Sequence, residues 1–227
     1  MADLLGLTSI AIVSLVTLLL SIRWPEVSKI LFVALIVRLI FLLVGHYITP
    51  LPDSTADALT FEHVAAHMSE KGFYYVLDQF KGPDPRFISW LIAILYSLLD
   101  RSMLMAKCIS LLFGIGSVLL CWLLAIKIWN KNIANKVGWV TALFPSLVLY
   151  SVITMREAYI VFFILVALFG VVTWVKTESL KSIIIAIMGF VSATFFHGGM
   201  FVGAIVFLGF VGITSLKKFF KLIINYR

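Results

Sequence analysis

Acidic residues are scarce in this chain: eleven aspartates and glutamates in 227 residues, against eighteen lysines and arginines. Polar stretches are scarce as well. A hydrophobic content of 62% and a mean hydropathy of +1.11 lie far above the roughly 45–50% apolar content of soluble domains, which excludes a soluble globular fold. There are only two cysteines, Cys108 and Cys121. They fall in one expected membrane helix about 20 Å apart along its axis, so they cannot bridge within the chain and carry no information on redox compartment. The N-terminus lacks the basic region of a cleaved signal peptide: Asp3 is the first charge, and Arg23 and Lys29 follow the apolar run. It reads as a retained span. No internal repeat or low-complexity tract is present.

What the chain has instead is apolar runs long enough for the roughly 30 Å of bilayer hydrocarbon. Seven spans are expected, at Leu4–Ile22, Lys29–Ile48, Met103–Ile128, Val137–Thr154, Ala158–Val175, Leu180–Phe196 and Gly199–Ser215. The fold class is therefore all-α, a polytopic helix bundle forming one domain over residues 1–227. Phe87–Leu99 is apolar but reaches only about 20 Å as a helix, which suits an interfacial or re-entrant segment. If it does not cross, Arg23, Lys29, Lys127, Lys131, Lys136, Lys176, Lys181, Lys217, Lys218, Lys221 and Arg227 share one face. The positive-inside rule makes that face cytoplasmic. The net charge of +7 is thus a topology signal, and nucleic acid is not an expected partner; the lipid bilayer is. The N-terminus is expected outside and the C-terminus in the cytoplasm, most simply of a bacterial inner membrane.

On the opposite face lies an extracytoplasmic loop, residues 49–102. Its polar part, Thr49 to Arg86, holds six of the eleven acids, so chemistry that needs a carboxylate is expected here. Asp53-Ser54-Thr55 offers a helix N-cap ahead of Ala56–Lys71, with Gly72 as the stop. Phe61, Ala65 and Met68 fall on one stripe of that helix and His63, His67 and Glu70 on another, an amphipathic pattern suited to the membrane surface. The histidine pair at i, i+4 has metal-ligand spacing, but Val64 stands where the zinc-protease motif needs glutamate, and a solvated face is the default. The Phe144-Pro145 pair inside the fourth span predicts a kink.

The topology gathers Asp53, Asp57, Arg101, Lys107, Arg156, Glu157 and His197 at the outer rim, and places Arg38 near the middle of the second span. Carboxylates can deprotonate an acceptor, and Arg or Lys can neutralise a phosphate leaving group. For each rim residue the plain alternative is a polar loop end. For Arg38 it is a snorkelling or internally paired arginine.

Several stretches together resemble the GT-C membrane glycosyltransferases that use a polyprenyl-phosphate sugar, the protein mannosyltransferases and the lipid A aminoarabinose transferase among them. Asp57-Ala58-Leu59-Thr60-Phe61-Glu62-His63-Val64-Ala65 is similar to their first-loop pattern of an acid, an aromatic four positions later and an alanine-containing helix. Gly82-Pro83-Asp84-Pro85 with FISWLIAILYSLL resembles their proline-led interfacial helix, MAKCISLLFGIGSVLLCWLLAIKIW the next span, and FPSLVLYSVITMREAYIVFFILVALF their Phe-Pro segment before a luminal charged pair. The likeness runs from about residue 29 to 176. The chain departs from the pattern in having a span before the family's first helix, Phe61 where tyrosine is commoner, and seven spans where typical members have more.

The resemblance implies a donor of polyprenyl-phosphate sugar and an envelope glycan or lipid acceptor. It makes Asp57 the catalytic base, Asp53 a second acid, and Arg156 and Glu157 donor-lipid or metal-shell residues; the outer-rim placement adds Lys107 or Arg101 beside Arg156 on the donor phosphate. Asp53 or Glu157 supplies the hard oxygen that suits magnesium or manganese, though no motif requires either. FFHGGM, with His197, also resembles O-antigen and exopolysaccharide polymerases. A non-catalytic lipid-carrier protein, flippase or transporter component is the rival from another class, although transporter sites usually sit near the midplane on broken helices and the acids here lie outside it.

Overall fold

The computed structural model describes residues 2–225, and side chains as far as residue 214. The described residues fold as helices and connecting turns: α1 (Ala2–Arg23), α2 (Ser28–Tyr47), α3 (Asp57–Ser69), α4 (Phe73–Asp78), α5 (Phe87–Leu99), α6 (Met103–Ile128), α7 (Lys131–Leu143), α8 (Pro145–Tyr150), α9 (Glu157–Thr177), α10 (Leu180–Phe196) and α11 (Phe201–Asn225). Four helical segments have the length and apolarity to cross a membrane: α1, α6, α9 and Pro25–Tyr47, in which a short 3-10 turn leads into α2. The protein is therefore an all-helical chain suited to a bilayer.

Of the remaining expected spans, one differs from the sequence reading. Val137–Thr154 is not one helix. Polar Asn130 starts it early, its side chain accepting from the Ile133 N–H at 3.1 Å, and Pro145 breaks it after Leu143 because proline lacks an N–H and forces the preceding residue out of the α region. Phe144 accordingly has φ −63° and ψ 120°. The chain then leaves helical structure after Tyr150. Helix α10 has the expected bounds and 17 residues, and α11 runs over Phe201–Asn225, its side chains described only to Thr214. Lys217, Lys218, Lys221 and Arg227 lie outside the residues whose side chains are described.

Helix α6 is the axis, packed against α1, α2, α7 and α9. Small residues let neighbours approach it: a Cβ at Gly114 would lie 2.4 Å from the Ser151 Cβ and 3.3 Å from the Arg38 Nε. The α9–α10 crossing uses the same device reciprocally, with Gly170 against the Ala186 backbone and Gly189 against that of Ala167. In lipid, where burying apolar surface against apolar surface gains little, such close backbone approach is what holds helices together.

The segment between α2 and α6 is packed onto the bundle. The buried face of α5, Ile88, Ile92, Ala93 and Tyr96, covers α3, and Trp90 Nε1 donates to the Val76 carbonyl of α4 at 2.7 Å. The Asp84 N–H donates to the Phe195 carbonyl at 3.3 Å, and Phe87 packs between Trp90, Phe195 and Phe196. This ties the loop to the end of α10.

The two ends of the bundle differ in charge. One end carries Arg23, Lys29, Lys127, Lys131 and Lys176, where Lys131 pairs with Glu26 at 2.8 Å and Lys176 donates to the Lys127 carbonyl. The other gathers the start of α1, the end of α2, the loop helices and the starts of α6 and α9: Ser102 Oγ donates to the Ala2 carbonyl at 2.9 Å and Tyr150 Oη to the Asp53 carboxylate at 3.1 Å. The acid-rich segment and the basic turns thus occupy opposite ends.

Candidate functional site

The acid-rich end is built around the turn from Tyr150 to Glu157. Residues Ser151 to Met155 of that turn are buried, and a small cavity lies on either side of them. The first cavity is lined by Arg38, Gly114, Ser117, Tyr150, Ser151 and Glu157. The second is lined by Ser54, Ala58, Glu62, Lys107, Ile153 and Thr154.

Asp53 sits ahead of the turn region with φ 60°, a left-handed backbone that aspartate tolerates better than most residues, and its carboxylate takes the Tyr150 hydroxyl. Ser54 Oγ donates back to the Leu51 carbonyl at 2.6 Å. The expected Asp53-Ser54-Thr55 cap is therefore not used: α3 begins at Asp57 behind Ala56, with no side-chain cap. Asp57 is exposed in the first helical turn, where the helix dipole favours an anion. Its carboxylate makes no hydrogen bond or ion pair with the described residues.

Glu62 is 1% exposed and holds three hydrogen bonds. Arg101 grips it through two parallel bonds, Nε to Oε1 at 2.9 Å and Nη2 to Oε2 at 2.8 Å, the fork geometry that makes arginine–carboxylate pairs strong. The Tyr96 hydroxyl donates to Oε1 at 3.0 Å. The hydrogen bond to Glu62 raises the Arg101 pKa, and burial followed by the neighbouring carboxylate raises that of Tyr96. Arg101 thus ties the start of α6 to α3, with one edge of its guanidinium occupied. Lys107 is buried, 7% exposed, and its single hydrogen bond is a long one, Nζ to the Gly45 carbonyl at 3.4 Å. An ammonium has three donors, so the remainder face a cavity of about 110 Å³.

Arg156 is half-buried just before α9, with Nε 3.7 Å from Glu157 Oε1. Glu157 Oε2 is buried without a partner. His197 is exposed at the end of α10. His63 and His67 are exposed on α3 and Glu70 just past its end, and no cluster of metal-ligating side chains forms among the described residues.

Arg38 is 1% exposed, and its surroundings give it a specific task. In an unbroken helix the Thr141 and Ala142 carbonyls would accept from residues 145 and 146, but Pro145 has no N–H and the chain bends there. Arg38 supplies donors in their place: Nη1 reaches the Ala142 carbonyl at 2.7 Å and Nη2 lies 3.5 Å from that of Thr141. Nε donates to Ser151 Oγ at 2.9 Å, and Nη1 also contacts the Ala34 carbonyl at 3.3 Å. Among the described residues no carboxylate pairs with it. Arg38 therefore caps the broken helix from across the bundle, the internally partnered alternative of the sequence reading.

Glu62, Tyr96 and Tyr150 are site residues that sequence reasoning did not select. Glu62 had a signal: with Ala58, Phe61 and Ala65 it lies at i, i+3, i+4 and i+7 on the buried face of α3, and a carboxylate in an apolar stripe demands a partner. No protein-family model matches this chain, and no curated protein or solved structure does.

Proposed function

We propose that this chain is a membrane glycosyltransferase that moves a sugar from a polyprenyl-phosphate carrier to an envelope glycan or lipid acceptor on the extracytoplasmic side. The observation that carries the reading is the Tyr150–Glu157 turn at the acid-rich end of an otherwise apolar bundle: Tyr150 holds Asp53, Arg156 and Glu157 end the turn, Lys107 lines the cavity beside Thr154, and Asp57 precedes Ala58 of the same lining. The basic turns at the other end support a cytoplasmic assignment for that end, with the N-terminus outside. In this topology α1, α2, α6, α9, α10 and α11 cross, the α7–α8 pair crosses as a broken span, and α3 to α5 rest at the outer interface.

In the reaction, Asp57 accepts the proton of the acceptor hydroxyl while that oxygen attacks the anomeric carbon. The glycosidic bond to the carrier phosphate breaks with inversion, and the phosphate leaves as an anion. Arg156 and Lys107 neutralise it. Asp57 suits the role because no neighbouring group occupies its oxygens. Arg101, already gripping Glu62, contributes mainly by fixing α3, and with it Asp57, against α6.

The test is the mass of envelope glycans from cells with and without the chain, and with Asp57→Asn. The substitution keeps size but removes the proton acceptor, so modification should fall roughly a hundredfold with normal membrane insertion. Full modification in Asp57→Asn together with loss in Asp53→Asn would move the base to Asp53. No change in either variant would favour a lipid-carrier-binding protein without chemistry.

A further inference from the structure

The basic end of the bundle carries a feature that the site at the other end does not use. Helices α1 and α9 both pack on α6, and between them a stripe of α6 is left as the floor of a groove of about 450 Å³. Gly116, Leu120 and Leu123 lie along that floor, Leu20 and Trp24 of α1 form one wall, and Phe162 of α9 closes the far end. All three helices are apolar enough to cross a membrane, so the groove opens toward hydrocarbon. Gly116 lets Phe162 lie directly on α6, since a Cβ there would be 2.6 Å from the ring.

Cations mark one end of this groove and none line its length. Lys127 is one turn beyond Leu123 on the same face of α6, its ammonium 4.7 Å from the Phe169 ring centroid. The Arg23 guanidinium lies 5.6 Å from the ring centroid of Trp24, the wall residue. Arg23 is exposed and Lys127 half-buried, and neither pairs with a carboxylate among the described residues. Glu26, which follows Trp24 by two residues, is taken by Lys131. Tryptophan beside arginine at a helix end is the arrangement that sits at headgroup level.

We propose that this groove binds one anionic phospholipid, with an acyl chain along α6 between α1 and α9 and the phosphate between Arg23 and Lys127. Charge complementarity commits the occupant: an apolar trough ending in two unpaired cations fits a molecule with one anionic head and a hydrocarbon tail, and a zwitterionic lipid fits it less well.

The test is native mass spectrometry of the full-length, delipidated protein in detergent with equimolar dioleoylphosphatidylglycerol and dioleoylphosphatidylcholine. Phosphatidylglycerol adducts should dominate by roughly tenfold, the order that two surface cations supply, and the preference should fall as salt rises. Arg23→Gln with Lys127→Gln should reduce the preference to within about twofold. Leu120→Trp, which fills the trough, should reduce adducts of both lipids. Lys136→Gln with Lys181→Gln, off the groove, should change nothing. Equal binding of the two lipids by the wild type, or an equal loss in the off-groove pair, overturns the proposal. So does displacement of phosphatidylglycerol by equimolar undecaprenyl phosphate, which would make the trough a carrier-lipid groove. The wild-type selectivity and its salt dependence decide the matter even if a variant fails to fold.

Discussion

Arg38 and Pro145 solve each other's problem, and the pair can be tested as a cycle. Replacing Arg38 with methionine removes the donors to the Thr141 and Ala142 carbonyls and to Ser151. A buried carbonyl left unpaired costs about 1–3 kcal/mol, so two of them cost roughly 2–6 kcal/mol, partly offset because a buried charge without a carboxylate partner is also removed. A net loss of about 2–4 kcal/mol is expected. Pro145→Ala returns an N–H at the position that serves the Thr141 carbonyl and permits α7 to continue. In the Arg38→Met background it should therefore recover about 1–2 kcal/mol, whereas in the wild type, where Arg38 already serves that carbonyl, it should gain little. Unfolding in mixed detergent micelles can be followed by thiol labelling of Cys108, which is 2% exposed and free. A double variant no more stable than Arg38→Met would refute the capping role and return Arg38 to the list of candidate ligand-binding cations.

Three further outcomes follow from the geometry. Gly170→Ala drives a Cβ to 2.4 Å from the Ala186 nitrogen and should cost about 1–3 kcal/mol by the same unfolding assay, whereas Gly209→Ala, with nothing within 4 Å, should be neutral or slightly stabilising. Tyr96 has its pKa raised by burial and by Glu62; the folded state keeps the proton longer than the unfolded chain does, so stability should fall as pH rises above about 10, and Tyr96→Phe should flatten that fall. With the native cysteines replaced, an impermeant thiol reagent on intact cells should label Glu70→Cys and spare Asn132→Cys; the reverse pattern would invert the proposed topology.

Much of the helical framework was legible in the sequence because its ends are chemically marked. Phe87–Leu99 is flanked by Pro85 and Asp100, the latter in a positive-φ turn at 79°. Met103–Ile128 begins at Ser102, whose hydroxyl accepts from the Met105 N–H at 3.3 Å. Both helices have the bounds the sequence suggests. Helix α7 does not, because its first turn is polar. Hydropathy sees Lys131-Asn132 as a loop, while the Asn130 side chain caps a helix there. The start of α3 falls within one residue of the expected Ala56, but its cap was misread: three good capping residues were present, yet Asp53 is engaged by Tyr150, 97 positions away, and a long-range partner replaced the local one.

The site itself was legible as an inventory and not as a set of assignments. Sequence offered four candidate cations, Arg101, Lys107 and Arg156 at the outer rim and Arg38 within the second span, and could not rank them because rank depends on what else each side chain touches. Arg38 has its donors taken by the broken helix, and Arg101 has one edge taken by Glu62. Each of those bonds joins residues 39 or more positions apart, apart from the Arg38 contact within its own helix. Both demands nevertheless left traces: a proline inside a span frees carbonyls and calls for a donor, and a glutamate in an apolar stripe calls for a cation. Matching each orphaned need to the nearest unspent charge in the folded chain removes two of the four candidates by elimination. Of the four it leaves two: Lys107, beside a cavity, and Arg156, held by a long contact to its neighbour.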